Sequence, residues 1–413
     1  MNAKEITCCR VCQNKNLIPI LNLGNQYISN FVDSAPGEDF KVPLELVLCD
    51  NCRLLQLKHT TNPEILYKQQ YWYKSGISTI IRNDLEDIVN KAEKLINLKD
   101  GDIVVDIGCN DGTLLRFYKN KNLIRVGFEP ATNLIKEAEI GTNKIFNNFF
   151  NAEDFEKEFG NKKAKIITAI SMFYDLDNPN QFLNDIAKIM DKNGIFIIQQ
   201  NYLVSMLKQN AFDNICHEHL EYYSLTSLEN LLNKHNLEVF DIELNNINGG
   251  SFRTYVKFKD SIIKPFFGAE KRLKEIRENE LKMGLNEKKI YEKFADRVNK
   301  IKEQLYNFIK SEVEKGKKVY VYGASTRGNT LLQFCNIDHS LIIAAVDKNP
   351  QKWGRKTVGT MIPIISVNQY RKEKPDYLLV LPWYLFEEIK EQEKEYIQSG
   401  GKFIVPLPNF RVV

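Results

Sequence analysis

Residues 102–115 constrain the fold more than any other part of this sequence. Within them, Ile103–Ile107 predicts a buried strand that leads into a turn with two glycines and then into a helix. About twenty residues later, Ile124–Pro130 predicts a second strand, which ends in the acid Glu129. A strand, a glycine turn, a helix and an acid on the next strand together indicate a nucleotide-binding α/β domain.

The composition of this turn distinguishes two classes of ligand. A dinucleotide-binding turn has the pattern Gly-x-Gly-x-x-Gly, whose backbone amides hold a pyrophosphate. Here only Gly108 and Gly112 are present, and the strand carries an acid, Asp106, just before them. S-adenosylmethionine has no phosphate, but its cationic methionyl portion suits Asp106 and its ribose diol suits Glu129. The turn therefore favours an S-adenosylmethionine-dependent methyltransferase, and an NAD-dependent oxidoreductase is the distant alternative.

Later segments extend the pattern to two α/β units. Ala164–Ser171 predicts a further strand of the central sheet, Phe182–Met190 a helix, and Gly194–Gln199 the strand that follows it. A second strand, glycine turn and helix begin at Lys317. Further strands of this C-terminal unit are predicted at Leu341–Asp347, Asp376–Leu381 and Lys402–Pro406.

Four cysteines are paired by their spacing near the N-terminus. A gap of two residues lets both sulfurs of a turn reach one ion, and two such turns supply four thiolates in a tetrahedron, which suits zinc. Four thiolates leave no open position for catalysis, so the predicted Zn²⁺ is structural. Cys8 is a spare thiol without this spacing. The predicted zinc ligands are Cys9, Cys12, Cys49 and Cys52.

We predict a mixed α/β fold with a small N-terminal four-cysteine zinc domain (1–70), a central class I methyltransferase Rossmann-like sheet (71–260) and a second, C-terminal Rossmann-like α/β domain (316–413). Residues 60–100 have the pattern of helices, most clearly at Ile80–Leu98. Residues 261–315 are rich in Lys and Glu with scattered apolar residues, which predicts one or two long linking helices.

Two of the five histidines flank an acid in the segment His217-Glu218-His219. A carboxylate can orient an imidazole or raise its basicity, so this run suits acid/base chemistry. In an extended segment both histidines would lie on one side. A metal site and a purely structural role are the alternatives. The Asn248–Arg253 turn either presents Arg253 to an anionic substrate or is a plain hairpin turn.

Charge and hydropathy exclude several classes of partner. The 57 Lys and Arg against 53 Asp and Glu leave a net charge of +4 over 413 residues, without a basic stripe, so nucleic acid is not an expected partner. There is no apolar run of the roughly 18 residues that a membrane helix needs, and the first residues lack the apolar stretch of a signal peptide. We expect a cytoplasmic protein, with no membrane partner, that is a monomer or a weak homodimer.

The order of these motifs resembles a known family along essentially the whole chain. A four-cysteine domain is followed by Asp-Ile-Gly-Cys-Asn-Asp-Gly-Thr-Leu-Leu, His-Glu-His, Gly-Gly-Ser and Gly-Ala-Ser-Thr-Arg-Gly-Asn-Thr. This resembles the three-domain, zinc-containing, S-adenosylmethionine-dependent C-methyltransferases of nucleotide-linked deoxysugars. The resemblance implies that the C-terminal unit helps to hold the nucleotide-linked sugar rather than NAD.

The resemblance also implies roles for single residues. His219 would be the general base that removes a proton next to a 4-keto group, which gives an enolate that accepts the methyl group. Glu218, Asp175 and Tyr222 complete the predicted catalytic set. The predicted cofactor-binding residues are Asp106, Gly108, Asn110, Glu129, Pro130 and Ser171.

Four positions depart from the family pattern. Cys216 stands where tyrosine is usual, and Asp175 and Asn248 stand where histidine is common. Tyr384 stands where asparagine is common. These departures make O- or N-methylation of a related nucleotide sugar the alternative to C-methylation.

Overall fold

The computed structural model describes residues 3–68 and 71–413. Its N-terminal unit is built on an antiparallel sheet in which β4 lies between β2 and β5. Apolar residues of β4 alternate into the core, as expected for a strand with one buried face. The elements of this unit are β1 (Ala3–Glu5), β2 (Leu17–Tyr27), β3 (Phe31–Val32), β4 (Lys41–Cys49), β5 (Leu55–Leu57), β6 (His59–Thr61) and α1 (Pro63–Tyr67).

The central unit contains a seven-stranded sheet in the order β13-β14-β11-β10-β7-β8-β9. Strands β7 to β11 are parallel neighbours, whereas β14 and β13 form an antiparallel edge. Its strands are β7 (Ile103–Ile107), β8 (Ile124–Phe128), β9 (Lys144–Phe146), β10 (Ala164–Ile170), β11 (Met190–Asn201), β12 (Glu221–Tyr222), β13 (Leu237–Asn245) and β14 (Ser251–Phe258). Its helices are α2 (Thr79–Leu95), α3 (Thr113–Arg116), α4 (Ile135–Ala138), α5 (Ala152–Phe159), α6 (Pro179–Ile189), α7 (Leu203–Lys208) and α8 (Leu225–Leu232).

Two helices, α9 (Ala269–Met283) and α10 (Lys288–Glu314), lead to the C-terminal unit. This unit has a six-stranded sheet in the order β18-β16-β15-β19-β20-β21, parallel except for the last strand. Its strands are β15 (Val319–Tyr322), β16 (Ala345–Asp347), β17 (Lys356–Thr357), β18 (Ile364–Ser366), β19 (Tyr377–Val380), β20 (Lys402–Val405) and β21 (Arg411–Val412). Its helices are α11 (Thr326–Phe334), α12 (Val367–Glu373), α13 (Phe386–Gln392) and α14 (Lys394–Gln398).

The mixed α/β architecture confirms the predicted fold class, but two local predictions were wrong. Residues 60–100 are not continuously helical: β6 occupies the start, and an irregular segment at 71–78 precedes α2. The strand predicted at Leu341–Asp347 is limited to β16, since its first half is a turn over Asp338. No helix in the described ranges is both long and apolar enough to cross a membrane.

Short pairings between units close the fold around one space. Strand β12 of the central unit joins the N-terminal sheet by pairing with β5. Strand β17 of the C-terminal unit pairs with β3. The Gln333 side chain bonds to both the amide and the carbonyl of Tyr27. All three units therefore contribute walls to a common cavity.

Candidate active site

The four predicted zinc ligands lie together in the N-terminal unit. Their sulfur atoms are all within 4.8 Å of one another. The Cys9–Cys52 and Cys12–Cys49 sulfur distances are 3.6 and 3.4 Å. A Zn–S distance of about 2.3 Å gives a tetrahedron with edges of about 3.8 Å, so the spacing and the donor set fit zinc. The cluster is a closed structural zinc site.

The two cysteine turns have the same backbone design. Gln13 and Arg53 each follow the second cysteine of a pair, and each has a positive φ, of 63° and 60°. Each amide donates to the carbonyl of the first cysteine, Cys9 or Cys49. Cys8 is outside the cluster, where its thiol bonds to the Gln13 side chain. The spacing argument that chose Cys9 over Cys8 is confirmed.

A cavity of about 690 Å³ lies between the three units. Pockets of this size are typical for small ligands and cofactors. Its walls include the carboxyl ends of β7, β8 and β10, the irregular segment 71–75, and the start of α11. All six predicted cofactor-binding residues line it.

Asp106 lies at the bottom of this cavity, at the end of β7. It is 4% exposed, and one carboxylate oxygen accepts a hydrogen bond of 2.6 Å from the Thr168 hydroxyl. Burial raises the pKa of Asp106 to about 7. A buried acid of this kind is stabilised in its ionised form by a cationic ligand, which suits the methionyl portion of S-adenosylmethionine.

Glu129 is held by the backbone on both sides. Its two oxygens accept 2.8 Å hydrogen bonds from the amides of Asn110 and Ala131. Burial raises its pKa, although these two bonds act in the opposite direction. A carboxylate fixed at this strand end can accept from a ribose diol.

The glycine turn packs tightly under the cavity. Gly108 has a φ of 68°, and a Cβ there would lie 3.1 Å from Met172. Asn110 holds the segment 71–75 against the glycine turn. Its side-chain oxygen accepts from the backbone N–H of Ser75, and its side-chain NH₂ donates to the Tyr73 carbonyl. Ser171 follows β10 with a φ of 55°, and Pro130 follows β8; these two residues complete the predicted set.

His219 also lines the cavity, in a turn before β12. Its Nδ1 is 2.9 Å from the Asn214 carbonyl oxygen, which only accepts, so Nδ1 carries the proton and Nε2 is free as an acceptor. The Tyr174 ring packs edge-on at 4.4 Å between centroids. Burial and the positive charge of Arg327 lower the pKa of His219 to about 4. The imidazole is therefore neutral at pH 7.

Asp175 and Glu218 also line the cavity. Burial raises the pKa of Glu218 to about 7, and burial together with the negative charge of Glu218 raises the pKa of Asp175 well above its usual value. The Tyr67 hydroxyl lies between them, since it bonds to the Glu218 carbonyl at 3.2 Å and to the Asp175 carboxylate. The structure thus brings these two acids and His219 together.

Tyr222 and His217 lie outside the lining of the main cavity. The Tyr222 hydroxyl donates to the same Asn214 carbonyl as His219, at 3.3 Å, and lines only a small space behind it. His217 is buried, with Nε2 3.0 Å from the Val42 carbonyl. Residues 217–218 form a turn rather than an extended segment, so the prediction that both histidines lie on one side was wrong.

Of the two alternatives for the Asn248–Arg253 turn, the structure supports the plain hairpin turn, which joins the antiparallel strands β13 and β14. The Arg253 side chain is 2% exposed and is enclosed by the carboxylates of Asp84, Asp87 and Glu243, so it is not offered to an anionic substrate. Sequence reasoning missed Asp84, which lines the cavity and accepts from Gln199 at 2.5 Å. No sequence signal links these residues, because they come from α2, β11, β13 and β14.

A second missed feature joins the central and C-terminal units. Arg327, at the start of α11, forms a 2.7 Å ion pair with the buried carboxylate of Asp213. It also donates to the Asn248 carbonyl at 2.8 Å. Both residues lie within motifs that the sequence had marked, but only the packing of the two units pairs them. All four positions that depart from the family pattern (Asp175, Cys216, Asn248 and Tyr384) line the same cavity.

Comparison with known proteins agrees with this organisation. Residues 9–67 match the profile of a family described as a zinc binding domain, residues 79–242 a methyltransferase domain, and residues 246–408 a C-methyltransferase C-terminal domain. C-methyltransferase NovU of Streptomyces niveus is 32% identical over 417 residues, which cover 99% of this chain and 97% of that protein.

Two solved methyltransferase structures resemble this chain over less than half of its length. An S-adenosylmethionine-dependent methyltransferase from Clostridium acetobutylicum ATCC 824 is 14% identical, with a TM-score of 0.34 and coverage of 43% of this chain and 92% of its own. Magnesium protoporphyrin IX methyltransferase from Synechocystis PCC 6803, with bound SAH, is 10% identical, with a TM-score of 0.34 and coverage of 43% and 88%. At these scores, the structural likeness adds no further argument.

The methyltransferase prediction is therefore confirmed, and the oxidoreductase alternative is not supported. Similarity to a named C-methyltransferase extends over both chains almost completely. Matches to the methyltransferase and zinc-binding families accompany a cavity whose acids fit S-adenosylmethionine and a four-cysteine cluster that fits zinc. The chain belongs to the zinc-containing, S-adenosylmethionine-dependent C-methyltransferase family.

Proposed function

We propose that the protein methylates a carbon of a nucleotide-linked keto-deoxysugar, with His219 as the general base. The observation that carries this proposal is the state of the imidazole. The Asn214 carbonyl holds the proton on Nδ1, so the neutral ring keeps Nε2 as an acceptor in a cavity that also holds the cofactor-binding acids. A base in this state is ready to take a proton without first losing one.

The reaction needs an activated carbon, because an ordinary sugar C–H is far too weak an acid for an imidazole. Bound S-adenosylmethionine supplies an electrophilic methyl group, and Asp106 and Glu129 hold its cationic and ribose portions. His219 Nε2 takes the proton from the carbon next to the ketone, and the C–H electrons pass into the enolate. The nucleophile is the enolate carbon, and the Asn214 carbonyl stabilises the imidazolium through Nδ1–H.

Other residues of the set have positioning roles in this proposal. Tyr222 shares the Asn214 carbonyl with His219 and so holds the turn that carries the base. Glu218 orients the sugar or the imidazole. Ser325 and Thr326, at the start of α11, line the cavity on the side where the C-terminal unit would hold the nucleotide.

O- or N-methylation is the second candidate, and Glu218 favours it. With a pKa of about 7, this carboxyl is matched to proton removal from a hydroxyl or an amine near neutral pH. Asp175 could serve in the same way. A carbon-linked methyl signal in the NMR spectrum of the product supports C-methylation, whereas a methyl signal on oxygen or nitrogen contradicts it.

Proton exchange tests the base directly. Purified protein is given nucleotide-linked 4-keto sugars with S-adenosylhomocysteine in D₂O, and deuterium incorporation next to the ketone is followed. We expect exchange in the native protein and in a His217→Ala control, and none in His219→Asn. Exchange that persists in His219→Asn would move the base role to another residue, with Asp175 the first to test.

A further inference from the structure

The cavity has a strong excess of acid over base. Seven carboxyl groups line it against a single guanidinium, that of Arg327, within the described residues. An anionic wall of this kind has to be balanced by ion pairs, by protons or by a cationic ligand. The acids are Asp84, Asp106, Glu129, Asp175, Asp177, Asp213 and Glu218.

Five of the seven acids have partners that account for them. Asp84 pairs with Arg253, Asp177 with Arg10, and Asp213 with Arg327. Asp106 and Glu129 are the acids already matched to the cofactor. Asp175 and Glu218 remain, and no cationic side chain among the described residues is paired with either.

The remaining acids also have unused hydrogen-bonding capacity. Asp175 Oδ1 and Glu218 Oε2 are buried and have no hydrogen-bond partner among residues 3–68 and 71–413. Asp213 is 1% exposed, and its Oδ1 has no partner either, although its other oxygen is bound by Arg327 and Trp383. The Asn201 side-chain oxygen, also on the cavity wall, has none. These four atoms are acceptors, so a ligand that satisfies them has to donate. The Arg327 Nη2, on the same wall, also has no hydrogen-bond partner among the described residues, but it lies 2.7 Å from the Asp213 carboxylate and is balanced by that charge.

We propose that the substrate carries a protonated amine that binds between Asp175 and Glu218. An ammonium supplies up to three N–H donors and a positive charge, which match the unpartnered oxygens and the unbalanced charge together. A neutral hydroxyl would supply one donor and no charge, so the two acids would have to keep a proton to remain balanced, whereas an ammonium balances them in their ionised forms. This inference rests on the proposed function, because it names an amino group on the keto-sugar that the enzyme methylates.

The departures from the family pattern support this assignment. Asp175 provides a carboxylate where histidine is common, and Cys216 replaces the bulkier tyrosine beside Glu218. Together they exchange two neutral donors for an acid and a small thiol. The change converts this wall from one that donates hydrogen bonds into one that accepts them.

Two matched sugars test the proposal. They are nucleotide-linked 4-keto sugars that differ only in bearing an amino or a hydroxyl group at one ring carbon, and both are given to the native enzyme with S-adenosylmethionine. We expect kcat/KM for the amino sugar to be higher by about tenfold to a hundredfold, the range for hydrogen bonds to charged groups. Calorimetry on the S-adenosylhomocysteine complex should show the same preference in Kd.

Variants test whether the carboxyl groups of Asp175 and Glu218 cause the preference for the amino sugar. Asp175→Asn and Glu218→Gln should each reduce it at least several-fold, with thermal unfolding used to confirm that each variant is folded. Asp177→Asn is the control, because its carboxylate lines the same cavity but is paired with Arg10, and it should keep the preference. An unchanged preference in both test variants would overturn the assignment.

Other outcomes separate this inference from the proposed function. Equal kcat/KM for the two sugars would overturn the inference alone, and methylation of neither sugar would overturn the proposed function and the inference with it. A further outcome is that Asp175→Asn weakens the binding of S-adenosylmethionine relative to that of S-adenosylhomocysteine by tenfold or more. That result would show that the carboxyl serves the sulfonium charge, and it would also overturn the inference.

Discussion

The central and C-terminal sheets contain the same kind of glycine turn, but the acid that binds the turn has different neighbours in the two sheets. In each, a glycine with positive φ ends the first strand and donates to the carbonyl of the next: Gly108 to Phe128, and Gly323 to Val346. In each, the acid after the second strand accepts from the turn. Asp347 accepts from the amides of Ala324 and Asn349, as Glu129 does from its own two amides.

The difference lies in what surrounds the acid. Lys352 lies 3.3 Å from Asp347 and neutralises it, whereas Glu129 lines the cavity and no cationic side chain in the described part of the chain pairs with it. The position that corresponds to Asp106 is Val321, an apolar residue. The same backbone motif therefore places an acid on the wall of the proposed cofactor cavity in the central unit. In the C-terminal unit it places an acid that is neutralised by a neighbouring lysine.

Zinc removal should have the largest effect, because the N-terminal zinc unit forms part of the cavity wall and supports the neighbouring parts of that wall. Pairing of β12 with β5 attaches the turn that carries His219 to the zinc unit. We expect about one zinc per chain, and we expect Cys49→Ser to lose zinc, lower the melting temperature and abolish turnover. Cys8→Ser is the control, and it should retain all three properties. Full stability of Cys49→Ser without zinc would contradict the structural assignment.

Loss of the base should come next. We expect His219→Asn to lower kcat by about 10²- to 10⁴-fold, the range for a positioned general base. The Kd for S-adenosylmethionine should change little, since the proposed cofactor-binding acids, Asp106 and Glu129, lie at the ends of β7 and β8 and His219 lies in the turn before β12. His217→Ala should keep most of the activity, because that ring contacts the N-terminal unit. Steady-state kinetics and calorimetry on all three proteins provide the measurement.

The two strand-end acids provide the direct test of the comparison. Glu129→Ala and Asp106→Ala should weaken S-adenosylmethionine by about tenfold to a hundredfold, as expected for the loss of hydrogen bonds to a charged group. Asp347→Ala should leave this affinity unchanged, because Asp347 serves its own turn. Equal losses in all three variants, measured by calorimetry, would show that the two sheets are not functionally distinct.

The pH dependence of stability should also differ between the sheets. Asp106 keeps its proton up to about pH 7 in the folded protein but loses it near pH 4 when unfolded. The cofactor-free protein should therefore lose stability as the pH rises from about 4 to 7, because the unfolded state binds fewer protons over that range. Asp106→Asn should flatten this part of the profile, measured by denaturant unfolding. Asp347→Asn should not.

The smallest expected effect is that of replacing Lys352, whose ion pair with Asp347 distinguishes the C-terminal turn from the central one. Lys352 binds the Ala324 carbonyl at 2.7 Å as well as Asp347. We expect Lys352→Gln to lower the free energy of unfolding by about 1–2 kcal/mol, since the bonds to charged groups are lost. Affinity for S-adenosylmethionine should not change. A large loss of cofactor affinity would mean that this turn communicates with the cavity.

Local patterns in the sequence were enough to predict the four cysteines that cluster, the glycine turn that lines the cavity and the fold class. The spacing of the cysteines determines which sulfurs can reach one ion, and Ile103–Ile107 followed by two glycines determines a strand and its turn, because these are properties of short chain segments. The predicted cofactor-binding residues line one cavity for the same reason: the carboxyl ends of parallel strands share an edge.

Only the tertiary structure shows which polar side chains line the cavity and which are bound by other parts of the protein. The residue pattern alone did not distinguish His217, which binds a backbone carbonyl of the N-terminal unit, from His219, which lines the cavity; only the family resemblance singled out His219. Nor did the residue pattern show that Arg253 is enclosed by acids, or that Arg327 pairs with Asp213 across two units. These outcomes depend on charges brought together from distant segments, and the burial that sets their pKa values exists only once the three units have packed.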